Sequence, residues 1–267
     1  MPDDIVGSAW SLDAGTQAAL RLELARRALR ERDLLTATIE LEELLDDEPD
    51  HVEALILLGA TCIAQGDHPT ARAALRSAHQ RGAGSSATWA QLALAELECW
   101  DFEAAAAAAR EATARNAENP EGWHVLGLLA ERRDAFAEAD EHHMRAWTLQ
   151  PTLYPLPVRL RPEDWEGVVQ TAMDALGDDL SAFWADVPLQ LEAFPERDER
   201  WTPGLSPREI ARCEGDAGGD HPDTLRIFWG NLAHAGSVED LLDDLVRALD
   251  HEATAWLQPD DERDGEE

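Results

Sequence analysis

Leucine returns every 34 residues through the first part of the chain, at Leu24, Leu58, Leu92 and Leu126. The position after it is always small: Ala25, Gly59, Ala93 and Gly127. Twelve residues further on stand Ala37, Ala71, Ala105 and Ala139, and seven beyond those Leu44, Ala78, Ala112 and Ala146. Trp89 and Trp123 share one register, with Arg21 and Leu55 in the same place before them. Each period is cut once by a turn signal: "RERD" at 30–33, "QGDHP" at 65–69, "CWDF" at 99–102 and "RRDAF" at 132–136. Small residues at a fixed phase let two helices approach closely while large ones fill the space between them. The pattern therefore predicts a helix, a turn and a second helix, four times over, at 18–51, 52–85, 86–119 and 120–153. Pro49 and Pro151 close the first and last copies; Ala83 and Ala117 take that place in the middle two.

The register ends in "PTLYPLPVRLRP", 151–162, where four prolines restrict the chain to extended conformations. We read 1–17 as an N-terminal segment, 18–153 as the repeat domain, 154–162 as a linker, 163–259 as a second domain and 260–267 as an acidic tail. A helix is expected at 163–177, with Trp165, Val168, Val169, Ala172 and Leu176 on one stripe. Val187, Leu189, Leu191 and Ala193 alternate within 186–195 and predict a strand. The polar, Gly- and Pro-rich residues 196–221 read as a loop. A second strand is expected at 223–232, with Leu225, Ile227 and Trp229 alternating. Ser237 is an N-cap candidate for a final amphipathic helix bearing Leu241, Leu242, Leu245, Leu249, Ala253 and Trp256. These elements make the second domain α+β.

Charge narrows the partners. Twenty-two basic residues stand against 55 acidic ones, for a formal charge of −33, and every basic residue is arginine. A field of that sign repels phosphate backbones and anionic lipid, which argues against nucleic acid or a membrane surface. Cys62, Cys99 and Cys213 have no metal-ligand or disulfide spacing. The start lacks a basic, then apolar, leader and no run approaches 18 apolar residues, so a cytoplasmic protein is expected.

The small/large columns at a period of 34 resemble the tetratricopeptide repeat, whose unit is a helix-turn-helix hairpin. The resemblance implies a mainly α fold, an α-solenoid of four repeats, with a groove lined by the first helix of each. Carried over, the groove positions are Leu22, Arg26 and Leu29, then Ile56, Ala60 and Ile63, then Ala90, Leu94 and Leu97, and last His124, Leu128 and Glu131. Such a lining suits an apolar, neutral-to-basic protein or peptide. Relatives that clamp a C-terminal carboxylate do so with groove lysine, arginine and asparagine; Arg26, Arg30 and Arg132 are the candidates here. The alternative is that the chain's own N-terminal segment or C-terminal domain fills the groove. His142 and His143 lie on the last repeat's second helix, where His143 takes a packing position and reads as structural.

The final helix carries "HEATA", with His251, Glu252 and, one turn on, Ala255. Helix, strand, "PGL" at 203–205, strand and a helix ending in His-Glu resemble a small bacterial zincin-like metallopeptidase family over about 160–262. The resemblance implies His251 as a zinc ligand, Glu252 as general base and Asp261 as a candidate third ligand. Ala255 stands where the second histidine belongs and Gln258 where the glycine belongs. A catalytic zinc needs three protein ligands and an open site for water. The expectation is an interaction adaptor whose peptidase-like domain has lost its metal, with no cofactor. Two alternatives stay open: a zinc peptidase with a ligand set rebuilt from His234 or His221, and a solvated His251 one turn past Arg247 with no history of metal.

Overall fold

The computed structural model describes residues 13–197, 206–215 and 221–257. They form two compact units that divide between Ala117 and Glu118. The first holds three helical hairpins: α1 (Ala14–Arg30) with α2 (Leu34–Asp47), α3 (Val52–Gln65) with α4 (His68–Gln80), and α5 (Ser86–Glu98) with α6 (Phe102–Arg115). The fourth hairpin, α7 (Pro120–Glu131) with α8 (Phe136–Leu149), belongs to the second unit.

One turn design serves all four hairpins. Arg32, Gly66, Trp100 and Asp134, each 34 residues apart, sit in the left-handed region with φ between 57° and 81°. Only Gly66 adopts it without a Cβ penalty. The next residue caps the second helix: the Asp33, Asp67 and Asp101 carboxylates accept from the amides of Thr36, Thr70 and Ala104. Such caps satisfy amides that the helix itself leaves open, each stabilising by about 1 kcal/mol. Ala135 takes this place in the fourth hairpin and offers no side-chain cap.

The small columns mark the closest contacts. A Cβ on Gly59 would lie 2.5 Å from the Leu75 side chain, and one on Gly127 would lie 2.4 Å from the His143 ring. Ala25, Ala37, Ala71, Ala93, Ala105 and Ala139 are fully buried. Between the second and third hairpins, Arg76 on α4 binds the buried Glu96 of α5 through two bonds of 2.5 and 2.7 Å.

After α8 the second unit runs through the proline-rich segment to α9 (Trp165–Ala175) and α10 (Asp178–Trp184). A three-stranded sheet follows, in the order β1 (Leu189–Glu192), β3 (Thr224–Phe228), β2 (Ala211–Glu214). β1 runs parallel to β3, pairing Leu191 with Ile227, and β2 runs antiparallel, pairing Cys213 with Leu225. The short α11 (Trp229–Leu232), a 3-10 turn at Ala233–Ala235 and the long α12 (Val238–Leu257) complete it. Trp165 and Val169 of α9, Phe183 and Trp184 of α10, Leu225 and Ile227 of β3, and Leu241, Leu245, Leu249 and Ala253 of α12 make its core.

The helix and α+β expectations match these elements, with local corrections. The strand expected over 186–195 is only four residues long, and Leu189 on it is exposed. The strand expected to 232 stops at Phe228; Trp229 starts a helix, because Gly230 there donates to the Ala193 carbonyl and leaves the ladder. Residues 211–214, expected in a loop, pair with β3, and 178–184 form a helix. Both are too short to show a period of their own.

The two glycine roles separate by mutation. Gly66 faces open space, so Gly66→Ala should cost only the left-handed backbone term, about 1 kcal/mol. Gly59→Ala drives a Cβ into Leu75 and should cost more, about 1–3 kcal/mol. Urea denaturation of the two variants checks the order; equal losses would mean the hairpin is not held by this close approach.

Candidate functional site: the His-Glu helix and a buried histidine cluster

The amphipathic stripe of α12 decides what its His-Glu pair can do. Ser237 begins the helix, its hydroxyl accepting from the Asp240 amide at 3.1 Å. Leu241, Leu245, Leu249 and Ala253 then face the core, and a rotation of about 100° per residue places Glu252 beside that stripe and His251 outside it. Glu252 is accordingly buried and His251 exposed. The Glu252 Oε2 accepts from the Cys213 amide at 2.7 Å, so this carboxylate fastens the edge strand β2 to the helix. Burial first, and then the neighbouring Glu252 carboxylate, push the Cys213 thiol up to about 12.

His251 and Glu252 line a cavity of about 220 Å³ together with Arg208, Glu209 and Ala248. Burial raises the Glu209 carboxyl above its usual range. Ala255 is exposed and has no donor atom. Asp261, Gln258 and the "PGL" motif lie outside the described residues. Of the two substitute ligands, His221 packs its ring 5.3 Å from Phe183, and His234 is engaged elsewhere. Among the described residues no group of three potential ligands includes His251.

The groove positions are distributed differently in the two units. In the first, Leu22, Ala90 and Leu97 are buried, while Leu29, Ile56, Ala60, Ile63 and Leu94 stay partly exposed. Arg26 pairs with Glu53 and, at 3.5 Å, with Glu23. Arg30 pairs with Glu23 at 3.2 Å. In the second unit Arg132 donates to the Pro207 carbonyl and reaches Asn231 Oδ1 at 3.4 Å. The three arginines considered for a carboxylate clamp all bind acceptors of their own chain. His124, Leu128 and Glu131 face chain as well: His124 lies 4.9 Å from the Tyr154 ring, Leu128 is buried, and Glu131 is 1% exposed.

Glu131 is the centre of a buried cluster that no short sequence motif marks. Its Oε2 lies 2.7 Å from His234 Nε2, and its Oε1 lies 3.3 Å from His143 Nε2 and 2.7 Å from Arg159 Nη2. Arg159 also holds Asp140 at 2.6 Å. The ring of His143 is 4.9 Å from that of His234, and His124 is 5.8 and 6.0 Å from the two. Glu131, His143 and His234 bring one ligand-type atom each within 4.8 Å of one another. Burial alone would raise the Glu131 carboxyl, but the close His143 and His234 rings outweigh it and hold it well below the usual carboxylate range. Burial pushes His143 down, and His124 far down, against their protonated forms. The site thus holds an ionised carboxylate near His143 and His124, which burial holds toward their neutral forms.

A signal for it exists in the repeat columns. Leu41, Leu75 and Ala109 precede His143; Leu29, Ile63 and Leu97 precede Glu131; Leu22, Ile56 and Ala90 precede His124. Three columns that are apolar in three repeats turn polar together in the fourth. His234, from beyond the repeats, has no such mark.

A family model, the C-terminal ARM domain of tetratricopeptide repeat protein 21, matches residues 8–155. The chain belongs to this family. The match takes in all four hairpins of this chain and ends in the proline-rich segment, leaving the α+β residues outside it. Among solved structures, a MamA crystal structure aligns at 21% identity over 51% of this chain and 75% of its own, with a TM-score of 0.48. MamA from Desulfovibrio magneticus RS-1 aligns at 18% identity, over 51% and 76%, with 0.47. YrrB, described as a TPR protein with an unusual peptide-binding site, aligns at 14%, over 50% and 69%, with 0.45. No curated protein matches the chain. No helix of the described residues is long and apolar enough to cross a membrane.

If Glu252 is a structural bracket, Glu252→Ala leaves the Cys213 amide unpaired and should cost about 1–3 kcal/mol. Hydrogen exchange should show the Cys213 amide, and β2 with it, opening faster. Unchanged protection would mean the carboxylate does not hold the strand.

Proposed function

We propose that this protein is an interaction adaptor. Its helical repeats bind an apolar, neutral-to-basic segment of a protein partner, and its C-terminal α+β part is a zincin-like scaffold without peptidase chemistry. The observation that carries the reading is the fate of Glu252. A general base turns its carboxylate to substrate water, and Glu252, though at the wall of the cavity, spends Oε2 on a strand amide. Ala255 cannot ligate, so His251 has no helical partner for a zinc ion. With the fourth hairpin's groove positions against its own chain, the open apolar positions are Leu29, Ile56, Ala60, Ile63 and Leu94. The charge of −33 favours partners that are not acidic. No cofactor is assigned to the His-Glu helix.

Panning a displayed peptide library against the full chain tests the reading. Selected peptides should be poor in Asp and Glu, and Ile56→Glu or Ile63→Glu should weaken them at least about tenfold without changing the circular dichroism. His251→Ala should leave both binding and peptide integrity unchanged. Cleavage of selected peptides that stops in His251→Ala would put the peptidase reading in its place.

A further inference from the structure

We infer that Glu131, His143 and His234 form a binding site for a divalent transition metal, zinc by its donors, that clamps the last helical hairpin to the segment entering α12. The three ligands come from three elements: the end of α7, the middle of α8 and the 3-10 turn before α12. Two imidazoles and a carboxylate are a donor set that zinc accepts, at bond lengths of about 2.0–2.2 Å.

The spacing fits. Ligand atoms around a tetrahedral ion with those bonds lie about 3.3–3.5 Å apart. Glu131 Oε1 and His143 Nε2 are 3.3 Å apart and Glu131 Oε2 and His234 Nε2 2.7 Å, one carboxylate oxygen to each imidazole; with one ligand atom from each residue the set lies within 4.8 Å, so closing on an ion draws the ligands together by about 1 Å. Imidazole rings on one such ion have centroids about 5 Å apart, and His143 and His234 stand at 4.9 Å. His124, with its ring 5.8 and 6.0 Å from these two, supplies a further imidazole at the border of the site.

The polar atoms ask for a ligand. His234 Nδ1 and His124 Nδ1 are buried without a hydrogen-bond partner, and His143 Nε2 meets Glu131 Oε1 at 3.3 Å out of alignment. Buried imidazole nitrogens left so, side by side, are costly in a native protein unless something else satisfies them. Arg159 neutralises part of the Glu131 charge, but it leaves the histidine nitrogens as they are and sits well as an outer-shell partner of the carboxylate. The cradle is also built. Gly127 gives His143 its place, since a Cβ there would lie 2.4–2.7 Å from three ring atoms. At the equivalent place in the second repeat, Gly59 receives Leu75. The fold therefore accepts an apolar residue at this position, and the histidine is not needed to fill it.

That equivalence supplies the test. The full-length chain, stripped of metal with chelator, is titrated with Zn2+ alone, and with Co2+ as a spectroscopic probe. Wild type should bind one Zn2+ per chain, give the visible ligand-field bands of tetrahedral Co2+, and gain about 5–10 °C in melting temperature at zinc 100-fold above Kd. His143→Leu restores the residue type of Leu75 and should keep the helical spectrum while weakening zinc at least about 100-fold. Glu131→Gln, which keeps shape, and His234→Gln should do the same. His251→Ala should bind zinc like wild type. The inference is overturned if wild type takes up no stoichiometric zinc, if His143→Leu and Glu131→Gln retain it, or if His251→Ala removes it. Peptide capture by Ile56 and Ile63 reads the adaptor function separately from every one of these outcomes.

Discussion

The close approach of two helices at a position without a side chain governs this molecule. In the second hairpin, Gly59 lets the Leu75 side chain lie against the backbone of α3, and in the fourth Gly127 admits His143 against α7. A hairpin packed this tightly has its register fixed, because a slip by one residue would set a large side chain where no space exists. The repeated left-handed turn at Arg32, Gly66, Trp100 and Asp134 follows from the same constraint. Three of the four carry the penalty of a Cβ in that region, and packing of the hairpin sustains it.

A fixed register has a chemical consequence. Residues that share a column share a place in space, so substitution in one copy of the repeat changes the chemistry at a known point of a known frame. In the fourth hairpin three apolar columns become His124, Glu131 and His143, which burial would make unfavourable one by one. They occur together, around one carboxylate, and they meet His234 and Arg159 from the following chain. The stable state of a carboxylate so deep in the protein is the ionised one, held by donors on several sides.

The C-terminal helix shows the same physics with another outcome. Glu252 lies next to the apolar stripe of α12, and a buried carboxylate there needs a donor; the Cys213 amide of β2 is that donor. The bond closes an edge of the three-stranded sheet through one of the two carboxylate oxygens. His251, one residue before it, turns to solvent. A pair that reads as catalytic in one dimension is thus divided between a structural contact and an exposed surface.

How much was legible follows from the range of each interaction. Hairpins, turns and caps rest on contacts between residues a few positions apart, repeated four times, and the columns of Leu, Ala and Gly carry them openly. The amphipathic α9 and α12, and the core of β3 at Leu225 and Ile227, show in their own periods. The short β2 and α10 do not, because four to seven residues hold too few turns of any period, and β2 is a strand only through its ladder with β3. Sequence also placed His124 and Glu131 on one face of α7 and His143 on a packing position of α8. It did not place them with His234, 91 residues beyond His143, since no spacing along the chain encodes the return of the segment before α12 onto the last hairpin. Local sequence determined which helices form and which faces they bury. Only the tertiary structure decided that a histidine from the far end of the chain would meet that face, because such a meeting depends on long-range packing that no local pattern records.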